Sequence, residues 1–209
     1  MAKPKGRRTR EHYYKAAKAQ GYRARSAFKL KQIVKTHNLL KGVNIVVDLC
    51  SSPGGWTQVL RELDSGLEIV AVDINPMKPV DKVSFIQGDI TDPEIYTTIE
   101  RLTRGAADLV ISDCSPKVSG TWDMDVAIQL DLAEMTMDIG HKLLGKSGKV
   151  LAKVFQGTGF QEFMTATRAR FQSVKLIKPD ASRKTSAEIY LLAVGPIKRK
   201  AKRNPLTSI

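Results

Sequence analysis

The chain has 209 residues, 42% of them hydrophobic and 26% charged, which suits one globular domain long enough to bury a core. No run of 18 apolar residues occurs, which excludes a membrane-spanning helix, and the basic N-terminus lacks the apolar stretch of a secretory signal. The two cysteines, Cys50 and Cys114, sit beside predicted strand ends and suggest neither a disulfide framework nor a zinc site, so a reducing, cytoplasmic compartment is expected.

The net charge of +13 is unevenly placed. Residues 1–41 carry 13 Lys/Arg against Glu11 alone, residues 196–209 carry five and no acid, and the stretch between carries 16 basic and 20 acidic residues. A nearly neutral domain with two basic extensions (1–21 and 196–209, flanking 22–195) points to a polyanionic partner, nucleic acid before membrane. A solvated tail is the plain alternative.

In chain order, residues 1–12 have a composition that predicts no packed structure. From Tyr22 to His37 the pattern is helical, with Ala27, Leu30 and Val34 on one stripe and Lys29 on its border. Strands are predicted near 44–49, 68–73, 82–87, 107–112, 149–155, 172–178 and 187–194, with helices near 56–64, 93–103, 124–145 and 160–170. Asp92-Pro93 reads as an N-cap followed by proline at the first helical position. Strands alternating with helices imply a mostly parallel α/β sheet covered on both faces, of Rossmann-like type. The link Asp180-Ala181-Ser182-Arg183-Lys184 is too short for a crossover helix, so the last two strands should pair antiparallel.

The organising stretch is Val46-Val47-Asp48-Leu49-Cys50-Ser51-Ser52-Pro53-Gly54-Gly55-Trp56, a strand, a small-residue turn and a helix start. Paired glycines let a backbone turn sharply and approach a ligand. No lysine follows them, which excludes a P-loop, and G-x-G-x-x-G is absent. Asp73, at the end of the next strand, is placed to accept hydrogen bonds from a ribose diol. S-adenosylmethionine carries a ribose and no phosphate, so it fits; a plain tight turn remains open. Asp48, Asp73, Asp89 and Asp113 all fall at predicted strand ends, where ligands gather in such sheets. Their separate strands make a metal site less natural, and no metal is expected. Trp56 can stack on a ligand or simply pack, packing being the simpler use.

Five blocks then resemble the FtsJ/RrmJ family of RNA ribose 2′-O-methyltransferases from Gly21 to Gly195: Tyr22–Leu30, Asp48–Trp56, Ser112-Asp113, Ala152–Phe155 and Ser186–Tyr190. The resemblance implies a Rossmann-like S-adenosylmethionine-dependent sheet with a final antiparallel strand. It also implies a catalytic tetrad of Lys29, Asp113, Lys153 and Glu188. Gly54, Gly55, Trp56, Asp73, Asp89 and Asp113 are the implied cofactor contacts, Asp73 for the ribose hydroxyls and Asp89 for the adenine amino group. A ribose hydroxyl needs a general base; lysine, with a reference pKa of about 10.4, serves only when neutral. Lys153, within the apolar Val150–Phe155 run, is the expected base, because buried lysines are rare without a task. Arg7, Arg8, Arg10, Lys15, Lys18, Arg23 and Arg25 are expected along RNA phosphates. The implied substrate is a uridine of large-subunit (23S) ribosomal RNA, with a tRNA anticodon loop second, and the enzyme is expected to be a monomer. A non-catalytic RNA-binding scaffold and a small-molecule methyltransferase are the competing classes; the intact tetrad argues against the first and the basic tails against the second.

Overall fold

A computed structural model describes residues 13–182 and 186–198. The expectations for residues 1–12, Arg7, Arg8 and Arg10 among them, and for the tail beyond Lys198 lie outside the described residues.

A helix at residues 13–19 (α1) precedes α2 (Ala27–His37) and β1 (Ile45–Leu49). Then come α3 (Gly55–Leu63), β2 (Glu68–Asp73), β3 (Val83–Gln87), α4 (Pro93–Leu102) and β4 (Ala107–Ser112). The chain closes with α5 (Trp122–Leu143), β5 (Leu144–Phe155), α6 (Phe160–Arg168), β6 (Phe171–Ile177) and β7 (Glu188–Pro196). The strands form one seven-stranded sheet in the order β3-β2-β1-β4-β5-β7-β6. Only β7 runs antiparallel, against both β5 and β6, as the short 180–184 link required.

Both faces are covered, which is why β1, β2, β4 and β5 read as near-continuous apolar runs. Leu30, Ile33, Val59 and Leu60 from α2 and α3 pack against one face. Ile99, Val126, Met137 and Phe163 from α4, α5 and α6 pack against the other. Asp92 caps α4, its side chain accepting from the Glu94 N–H at 2.8 Å with Pro93 at the first helical position. No helix of the described residues is long and apolar enough to cross a membrane.

Two boundaries differ from the sequence reading by more than two residues. The helix expected from Tyr22 starts at Ala27, because residues 22–26 spend their polar groups on α3. The Arg23 N–H donates to Gln58 Oε1 at 2.9 Å, and the Ser26 carbonyl accepts from the Trp56 indole at 2.9 Å. The strand expected from 149 starts at Leu144, where the chain leaves α5 directly into extended geometry. Its first residue pairs with Ala107, and a register irregularity between Ala107 and Leu109 absorbs the polar 145–148 stretch.

Candidate active site

The strand order reverses between β1 and β4, whose helices lie on opposite faces, so their carboxyl ends flank a crevice. Leu49 is in register with both Val72 and Ser112. Asp48, Asp73 and Asp113 are therefore gathered at adjoining strand ends. The β1–α3 loop is fixed to β2 by Ser51 N–H on the Val72 carbonyl (3.0 Å) and Ser52 N–H on Asp73 Oδ2 (2.9 Å). Asp73 Oδ1 also accepts from the Asn75 N–H at 2.7 Å. Asp89 stands apart, exposed, closing its own turn by accepting from the Thr91 N–H at 2.9 Å.

The glycines also make room for a neighbouring segment of the chain. Gly54 has φ +104°, and a Cβ there would lie 2.7 Å from the Arg23 guanidinium. A Cβ on Gly55 would lie 2.9 Å from Ala24 Cβ. The turn is stripped of side chains so that segment 22–26 can lie across it. Arg23 completes that clamp, donating to the carbonyls of Lys78 (2.6 Å), Pro79 (2.8 Å) and Pro53 (3.3 Å). The expectation that Arg23 tracks RNA phosphates is corrected: its guanidinium is engaged in tying loops together. Lys15 and Lys18 are exposed on α1, as a phosphate contact requires.

The cysteines are also corrected. Cys50 and Cys114, expected as unpaired, form a disulfide with a Cα–Cα separation of 5.1 Å. Cys50 lies one residue beyond the carboxyl end of β1 and Cys114 two beyond that of β4, its parallel neighbour, so the sheet register brings together residues 64 positions apart. Cys50 adopts a left-handed φ of 56°, a conformation costly for a side-chain-bearing residue, at the point where the β1–α3 loop leaves β1.

A small cleft of about 50 Å³ opens beside this loop, with Asp48, Ser51, Trp56 and Asp113 in its wall. Asp48 is 1% exposed, and its carboxylate accepts from the Thr57 hydroxyl at 2.6 Å. Burial pushes its pKa up to about 7; the Thr57 bond opposes this, and Asp113 and Asp73 add to it. Such a cleft favours a cation. Trp56 is buried, its ring centroid 5.6 Å from that of Tyr190.

All four tetrad residues converge next to this cleft, as two ion pairs. Lys153 donates to the Asp113 carbonyl at 2.8 Å and lies 3.3 Å from Asp113 Oδ1. Lys29 donates to Glu188 Oε1 at 2.5 Å, and the Ser182 hydroxyl donates to the same oxygen at 3.1 Å. Tyr190 joins the pairs: its hydroxyl donates to Asp113 Oδ1 at 2.8 Å, and Lys29 Nζ sits 5.8 Å from its ring centroid. Burial, with the negative Asp113 and Glu188, pushes the Tyr190 hydroxyl well above its usual pKa, so it stays a donor. A second cleft of about 180 Å³ opens on the Lys29–Glu188 side, with Arg25, Ser182 and Ser186 in its wall. The tetrad thus stands between two clefts.

Residues 22–196 match the family model described as FtsJ-like methyltransferase. The chain belongs to that family. A relative from Methanothrix thermoacetophila named ribosomal RNA large subunit methyltransferase E is 45% identical over 88% of this chain and 71% of its own length. One of the same name from Archaeoglobus fulgidus is 44% identical over 87% of this chain and 94% of its own. A crystal structure solved under the name of a ribosomal RNA methyltransferase from Plasmodium falciparum superposes with a TM-score of 0.76 at 24% identity. It covers 85% of this chain and 100% of its own, and it supports the fold. This protein is therefore a methyltransferase with the Rossmann-like sheet of its family.

Residue reasoning passed over three members of the site. Tyr190 was legible as i+2 of Glu188, hence on the same strand face. Ser182 sits in a link read only for its length. Gln129, buried on α5, donates to the Lys153 carbonyl at 3.0 Å; nothing in the local sequence marks it.

Proposed function

We propose that this FtsJ-like methyltransferase transfers a methyl group from S-adenosylmethionine to a ribose 2′-hydroxyl of large-subunit ribosomal RNA. The convergence of Lys153, Asp113, Lys29 and Glu188 between two clefts carries the reading. The relatives named ribosomal RNA large subunit methyltransferase E support the RNA class.

The residues present fit the cofactor. A buried carboxylate at Asp48 with a pKa near 7, beside Asp113 and Asp73, suits a ligand that is cationic and carries no phosphate. Asp48, Ser51, Gly54, Gly55, Trp56 and Asp113 would hold it at the first cleft. Asp73 keeps acceptor capacity for ribose hydroxyls beside its two backbone bonds. Asp89 would take the adenine amino group. When bound, S-adenosylmethionine supplies a methyl group already activated by a sulfonium.

The remaining work is alignment and proton removal. The second cleft receives the acceptor ribose. Lys29, fixed by Glu188, orients the hydroxyl. Lys153, held by the Asp113 carbonyl, would accept the 2′-hydroxyl proton at Nζ, leaving the oxygen free to take the methyl group that the bound cofactor would supply. Exposed Lys15 and Lys18 engage RNA phosphates, which add affinity and salt dependence without sequence choice.

The test is transfer of radiolabelled methyl to in vitro transcribed large-subunit rRNA, whole large subunits and bulk tRNA, with mapping of 2′-O-methyl sites. Label in rRNA or the subunit is expected. Label confined to tRNA would replace the substrate, and no label in any RNA would overturn the reading.

A further inference from the structure

One apolar surface lies beside the tetrad without belonging to it. Trp122 opens α5 and stacks on Phe155, ring centroids 5.8 Å apart and planes 17° from parallel. Trp122 is nevertheless 50% exposed, Met124 54% and Val118 77%. The core does not need these side chains. Phe155 ends β5 two residues after Lys153, and its register partner across to β7 is Glu188. Paired residues in such a ladder lie about 5 Å apart, so the aromatic stack begins one strand spacing from the tetrad.

The stack is also held in place. Buried Asp125 accepts from the Ser119 N–H and hydroxyl, both at 2.8 Å, which fixes the loop leading into Trp122. The Thr158 hydroxyl donates to Asp123 at 3.3 Å, tying α5 to the segment after Phe155. A rigid, half-exposed indole, with an exposed Lys117 on the adjoining loop, offers a flat apolar face beside positive charge. Single-stranded RNA is bound in this way, unstacked bases lying on aromatic rings and phosphates meeting cations.

We propose that Trp122, backed by Phe155, is the stacking platform for an unpaired RNA base next to the methylated ribose. The inference rests on the RNA reading above and deepens it: the acceptor nucleotide is presented in a single-stranded segment. Base–aromatic stacking contributes measurably to single-strand affinity, so Trp122→Ala should raise KM for transcribed large-subunit rRNA about tenfold with kcat within twofold, and Trp122→Phe should recover most of the loss. Cofactor affinity and Tm should not move.

A second measurement needs no turnover. Trp56 is buried, so quenchable emission comes from Trp122. Octauridylate should quench it, and an abasic oligomer with the same number of phosphates should not. An unchanged KM in Trp122→Ala, with the wild type active on RNA, overturns the platform and leaves the RNA reading standing. If the wild type methylates no RNA, the RNA reading falls, and equal quenching by both oligomers overturns the platform as well.

Discussion

The two lysine–carboxylate pairs of the tetrad are built on different foundations. Lys153 and Asp113 come from β5 and the end of β4, neighbouring strands in the middle of the sheet, and Cys114 is pinned to Cys50 directly beside Asp113. Lys29 comes from α2 and Glu188 from the first residue of β7, and no covalent tie holds either. The contacts differ in the opposite sense. Lys29 is committed to Glu188 at 2.5 Å, whereas Lys153 stands 3.3 Å from a carboxylate oxygen already taken by Tyr190. The rigid foundation thus carries the looser ion pair. A base needs a fixed position and a partner that does not monopolise it; an orienting cation needs a firm partner. The difference supports the roles proposed above, proton transfer for Lys153 and orientation for Lys29.

Paired substitutions test this most severely. Lys153→Ala should lower kcat by about a thousandfold, within the 10²–10⁴ typical of a lost general base, with cofactor affinity nearly unchanged. Lys29→Ala should cost tenfold to a hundredfold and raise KM for RNA. An equal or larger loss in Lys29→Ala would reverse the roles.

The disulfide sharpens the comparison because it supports only one pair. Its 64-residue separation predicts about 4 kcal/mol of stabilisation in the chain-entropy account. The Cys50→Ser, Cys114→Ser double variant should lose roughly 8–16 °C in Tm, and dithiothreitol should lower the wild-type Tm similarly. Retention of full Tm in the double variant would show that the sheet alone holds these strand ends.

The fold was open to sequence reasoning because strand and helix periodicity are local, and so was the antiparallel end, because a short link permits nothing else. The tetrad was reachable only through block resemblance: Lys29 and Glu188 are 159 positions apart, and no periodicity relates them. What escaped depended on register. Cys50 and Cys114 look unrelated until β1 and β4 are paired. Arg23 looks like any basic residue until Gly54 is seen to vacate the space it fills. Tyr190 looks like core until Asp113 is found at its hydroxyl.

Asp48 extends the comparison to a third carboxylate, one that forms no ion pair among the described residues. Its folded pKa of about 7 lies above the unfolded 3.8, so folding favours the protonated acid. The protein free of ligand should therefore be most stable below pH 4 with respect to this group, and lose on the order of 4 kcal/mol as pH rises towards 7. A cationic ligand reverses the preference by favouring the carboxylate. Cofactor Kd should fall about tenfold per pH unit between pH 5 and 7 and level off above, with proton release visible by calorimetry in buffers of different ionisation enthalpy. Asp48→Asn should flatten the profile and raise the ligand-free Tm at pH 8. A pH-independent wild-type Kd would place the cation elsewhere.

The smallest effect is expected where the pairs meet. Tyr190→Phe keeps the ring against Trp56 and Lys29 and removes one hydrogen bond, from the hydroxyl to Asp113. A buried hydrogen bond is worth about 1 kcal/mol net, or about fivefold in kcat. The direction is informative because the hydroxyl competes with Lys153 for Asp113 Oδ1. Without it the carboxylate can close on Lys153 and hold its Nζ away from the incoming hydroxyl. In Tyr190→Phe kcat should therefore fall, while the Lys29–Glu188 pair and the KM for RNA stay unchanged. An unchanged kcat would mean that Tyr190 only packs, and that the two pairs work without a bridge.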